Sequence, residues 1–196
     1  MGDDPIPSRR PILAAAGSVL AGGCLGSDIL GTPGTHTPTV TVEVGETDDR
    51  VGFDVERLNG FDADEPARLR IALTNETGED ATFLMGPHPP FSGLFSESVD
   101  TDSRVVVLPE VEFHADVLPD EPSEGCWSAE GQIETLGVES NVDLDPGEKV
   151  ERTYVLASDH EAEDCLPDGE YRFRDEIELE SEDDWIVVAF DLTLRD

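Results

Sequence analysis

Trp185-Ile186-Val187-Val188-Ala189-Phe190-Asp191-Leu192-Thr193-Leu194 places Ile186, Val188, Phe190, Leu192 and Leu194 two residues apart. Successive side chains of a strand point to opposite faces, so this spacing predicts a strand with one side in a core. The same period runs upstream through residues 170–179 and 150–156. Further back, Val40, Val42 and Val44 alternate with Thr41 and Glu43, Val51, Phe53 and Val55 with Gly52 and Asp54, and Leu69, Ile71 and Leu73 with Arg70 and Ala72. Shorter apolar runs at 81–85, 104–108 and 111–117 add further candidate strands, and no stretch carries a helical period. Residues 40–196 are therefore expected to form one all-β domain.

Two turns bear on the architecture. Asp145-Pro146-Gly147-Glu148 and Pro167-Asp168-Gly169-Glu170 put Pro and Gly where tight turns need fixed and positive φ. Each opens a strand that holds a tyrosine, Tyr154 and Tyr171 respectively. The string Leu166-Pro167-Asp168-Gly169-Glu170-Tyr171 resembles the tyrosine corner of immunoglobulin-like sandwiches. The resemblance implies an immunoglobulin-like Greek-key β-sandwich in which the Tyr171 phenol bonds back to the backbone across an arch.

The N-terminal 24 residues have a different character. Ser8-Arg9-Arg10 precedes the short apolar run at 12–20, and Ala21-Gly22-Gly23 then leads directly to Cys24. The run is too short to span a bilayer, which takes about 20 apolar residues. This order resembles a twin-arginine signal followed by a lipobox. The resemblance implies that residues 1–23 are a signal peptide, that the body is exported folded, and that Cys24 is lipidated and holds the chain on the extracellular face of the cell membrane. Residues 24–39, rich in Gly, Thr and Pro, read as a flexible tether. With Cys24 in the anchor, Cys126 and Cys165 remain, either as a disulfide that an oxidising exterior permits or as two free thiols.

Charge narrows the setting further. The chain carries 46 acidic against 12 basic residues, a net charge of −34, and Lys149 is its one lysine. Such a surface repels nucleic acid and anionic lipid heads. Its self-repulsion is relieved in concentrated salt, where the Debye length falls to about 3 Å. The composition resembles that of proteins from extremely halophilic archaea.

Candidate chemistry is sparse. The segment 84–95 contains three prolines together with His88, Phe91, Leu94 and Phe95. A stiff loop presenting His88, Phe91 and Phe95 would be a recognition surface, whereas the same rings turned inward would cap the core. Cupredoxins place Cys, His and Met close together near the C-terminal end, but Cys165 is followed by Leu166-Pro167-Asp168 with neither ligand nearby. A scattered set of Met85, His88 and His114 or His160 is the remaining version of a metal or electron carrier, against surface loop positions for all three histidines. His160-Glu161 lacks the second His of a zinc-protease motif, with Asp164 in its place. Asn75-Glu76-Thr77 is a glycosylation sequon on an expected turn, and Trp127 is expected to pack beside the disulfide. No catalytic motif is present, and we expect no cofactor and no bound metal. The sequence thus points to a non-enzymatic surface module with a protein, envelope polymer or small solute as partner.

Overall fold

The computed structural model describes residues 35–97, 104–181 and 184–196. In chain order its strands are β1 (Thr39–Val44), β2 (Val51–Asn59), β3 (Arg68–Asn75), β4 (Ala81–Met85), β5 (Val105–Pro109), β6 (Ser140–Leu144), β7 (Lys149–Ser158), β8 (Gly169–Leu179) and β9 (Trp185–Arg195). One sheet has the order β1-β9-β8-β4-β6 and the other β2-β3-β7-β5, with every pairing antiparallel. The two sheets pack as a sandwich of immunoglobulin-like form, the fold class expected from the strand periods and the tyrosine corner.

Period two sets the core. On β9, Ile186, Val188, Phe190, Leu192 and Leu194 are all buried, while Trp185 and Val187 face out. On β8, Tyr171, Phe173, Ile177 and Leu179 turn the same way, and the rings of Phe173 and Phe190 stack at 5.0 Å. Leu69, Ile71 and Leu73 of β3 supply the facing wall. β5 differs, because Val105 and Val107 enter this main core while Val106 and Leu108 enter a second cluster with Leu94, Ala129, Ile133 and Ala157. A strand covered on both sides needs apolar residues at every position, hence the unbroken Val105-Val106-Val107-Leu108 run.

Two expectations need correction. Residues 111–117 form no strand. They wind through a 3-10 turn at Glu112–His114, with the His114 N–H on the Val111 carbonyl and the Val117 N–H on the His114 carbonyl. The inward-turned positions, Val111, His114 and Val117, are spaced by three, which suits a 3-10 turn and not a strand. Strand β6 carries little apolar signal in the sequence, because its edge position leaves only Leu144 buried among Ser140, Asn141, Val142 and Asp143. The last residues of the expected tether are tied to the body. The His36 N–H donates to the Gly125 carbonyl at 2.6 Å, and its Nε2 lies 3.2 Å from the Leu166 carbonyl.

Candidate functional site

β4 meets β8 only at Phe83 and Leu84, so most of that edge of β8 is left for the chain that follows β4. Residues 86–97 occupy it. The Glu97 N–H donates to the Arg172 carbonyl of β8 at 2.7 Å, while the Ser96 N–H donates to the Val105 carbonyl of β5 at 3.1 Å. This proline-rich segment therefore closes one side of the sandwich as a seam between the sheets. Gly93 is needed there, since a Cβ would overlap the Arg174 carbonyl oxygen.

Side chains of β7 and β8 fasten the seam. The buried Tyr154 hydroxyl accepts from the Phe91 N–H at 3.1 Å and points its proton at the carbonyls of Phe91 and His88, 2.8 and 3.1 Å away. Burial pushes its ionisation well above the usual phenol range. Arg152 Nε donates to the Pro89 carbonyl at 2.9 Å. Asp175 stands on the core face of β8 between Phe173 and Ile177, opposite Val188, and its Oδ2 accepts the Ser92 N–H at 2.6 Å. Burial raises its pKa, against the two backbone N–H groups of Ser92 and Glu176 that favour the carboxylate.

Where the seam meets the 3-10 turn, two imidazoles face one another. His88 Nε2 and His114 Nε2 are 3.0 Å apart, with the rings at 63° and residue exposures of 5% and 1%. Both pKa values are lowered, His114 to about 4 by burial and then by the His88 ring, His88 by burial and then by the charge of Arg152. At neutral pH the pair is uncharged, one Nε2 donating and the other accepting. Phe113 lies edge-on beside His114 at 5.0 Å, half in solvent.

No family model, curated protein or solved structure matches the chain.

The structure brings His88 and His114 together but leaves His160 elsewhere, with its Nδ1 2.8 Å from Asp159, and Met85 inside the main core. The expectation of surface histidines fails for His88 and His114, because the 3-10 turn and the seam bury both rings against each other. The recognition-loop reading also fails for Phe91, which is fully buried and packs on Phe190 at 5.4 Å and Phe53 at 6.1 Å. Phe95 is half-buried against the second cluster, so these rings cap the core.

Asn75 is a correction of another kind. Its side chain is completely buried, with Nδ2 donating to the Glu79 and Leu144 carbonyls and Oδ1 accepting from the N–H and hydroxyl of Thr77. The sequon asparagine is a hydrogen-bonding hub, and in the folded body its amide is not offered to a glycosylating enzyme. Cys126 and Cys165 form a disulfide with Cα atoms 5.6 Å apart, which leaves neither sulfur free as a thiolate ligand. Trp127 is buried in the core cluster against which Cys165 packs, its Nε1 donating to the Asp62 carbonyl. Cys24, Arg9 and Arg10 lie outside the described residues. Among the described residues no three His, Cys, Asp or Glu side chains converge as a metal cluster.

Proposed function

We propose that the chain is an exported lipoprotein whose sandwich is a non-enzymatic binding or structural module held at the outer face of the membrane through Cys24. The observation that carries this reading is the Cys126–Cys165 disulfide, since such bonds persist on the oxidising side of a membrane and are rare inside mesophilic cells. Its position adds support. The chain enters the body at His36, bonded to Gly125 and Leu166, the neighbours of the two cysteines. The disulfide thus staples the two loops that receive the tether, where a pull from the membrane would be felt first. The net charge of −34 supports a high-salt exterior and argues against a nucleic-acid partner. The cupredoxin-like alternative loses ground, because both body cysteines are spent on the disulfide.

The test is mass spectrometry of the mature N-terminus, paired with Cys24→Ser in the native host. A diacyl or diether mass on Cys24 and release of the variant into the medium are the expected results. An unmodified Met1 terminus, or membrane retention unchanged by Cys24→Ser, would overturn the proposal.

A further inference from the structure

The His88–His114 contact joins the seam after β4 to the 3-10 turn after β5. A hydrogen bond between two neutral imidazoles accounts for a 3.0 Å separation, but so does a shared ion. Metal–imidazole bonds are about 2.0–2.1 Å, so two nitrogens 3.0 Å apart subtend about 95° at a metal, close to the 90° between adjacent ligands in square-planar coordination and about 15° inside the tetrahedral angle, which a small opening of the pair would reach. We propose that His88 and His114 form a two-imidazole seat for a late divalent transition ion such as Zn(II) or Cu(II), bound through the facing Nε2 atoms.

Three features favour the seat. Burial keeps both rings in the neutral form that ligates, so no proton has to be driven off before an ion binds. The ring that carries its hydrogen on Nε2 moves it to Nδ1, and the proton count is unchanged. The backbone of His88 is fixed on both sides, its N–H on Ser92 Oγ at 3.1 Å and its carbonyl on the Tyr154 hydroxyl. The half-exposed Phe113 ring, 5.9 Å from His88, marks how close the pair lies to solvent, from which water would complete the coordination. The charge of Arg152 opposes an ion here, and its guanidinium is turned to the Pro89 carbonyl, which accepts from Nε at 2.9 Å. The seat is independent of the lipid anchor, and it departs from the expectation that the chain binds no metal.

The chain has four histidines, so 15N-imidazole NMR of the whole folded body titrated with Zn(II) reads the seat directly. The partly exposed His36 and His160 are assigned through His36→Gln and His160→Gln. Shifts of the other two imidazoles, saturating together at one equivalent, are expected, as is loss of the His88 shift in His114→Gln. No shift in the pair, shifts confined to His36 and His160, or an undiminished His88 shift in His114→Gln would each overturn the proposal. If His114→Gln fails to fold, the wild-type titration still decides.

Discussion

The Tyr171 hydroxyl donates a 2.6 Å hydrogen bond to the carbonyl of Pro167, four residues earlier in the chain. Its ring is buried at the start of β8, and burial raises its pKa. This bond fixes the arch that carries the chain from the disulfide loop into the first sheet. Tyr171→Phe keeps the ring and deletes only the bond, so it should lower unfolding free energy by about 1 kcal/mol. Denaturant titration in high salt measures it, and a variant as stable as wild type would mean that the arch is held by packing alone.

The disulfide closes a loop across a separation of 39 residues. In the chain-entropy model such a closure is worth about 4 kcal/mol. Cys126→Ala with Cys165→Ala should therefore lower the unfolding free energy by several kcal/mol, while Cys24→Ser should leave it unchanged. Equal stability of the reduced and oxidised body would remove the stapling role.

Most of the sandwich was legible because a period of two survives in β2, β3, β8 and β9. The two polar residues whose roles were misjudged or overlooked occupy slots in those same patterns. Asn75 continues the buried series Leu69, Ile71, Leu73, and Asp175 fills the core slot between Phe173 and Ile177. Carrying the period through a polar residue would have placed Asn75 inside and Asp175, half-buried, on the core face beneath the seam, where each must find partners. The His88–His114 meeting had no such signal. The two are 26 residues apart, and their contact depends on a seam whose path is set by the gap along β8.

Asn75 ties the β3–β4 turn to the β6–β7 turn, since its backbone N–H also donates to the Glu148 carbonyl and its carbonyl accepts from Gly147. Gly147 holds φ +77°, a conformation that glycine reaches without strain. Asn75→Ala leaves the Leu144 carbonyl without its buried side-chain donor and the Thr77 N–H without its acceptor, while the Thr77 hydroxyl keeps the Glu79 carbonyl, and should cost about 3 kcal/mol. Asn75→Asp keeps the acceptor but loses both donors, and should also destabilise. Thr77→Val removes the sequon as well yet breaks fewer bonds, so it should be milder. Equal effects of Asn75→Ala and Thr77→Val would contradict the hub.

The histidine pair makes stability depend on pH in a definite direction. In the unfolded chain both imidazoles titrate near 6.5, while in the folded body both are held lower, His114 at about 4. As pH falls below 6.5 the unfolded chain takes up protons that the folded one refuses, so stability is full above that value and is lost on the way down. For His114 alone the loss by pH 4 is about 3 kcal/mol. Two shifted carboxylates behave differently. Asp48, held at about 2 by its bonds to Arg50, loses its contribution only between 3.8 and 2, and Asp175, shifted upward, regains stability as it protonates. Denaturant titrations from pH 7.5 to 4 in high salt should give a falling stability that the double variant His88→Gln, His114→Gln flattens. An unchanged slope in that variant would assign the acid sensitivity to the surface carboxylates instead.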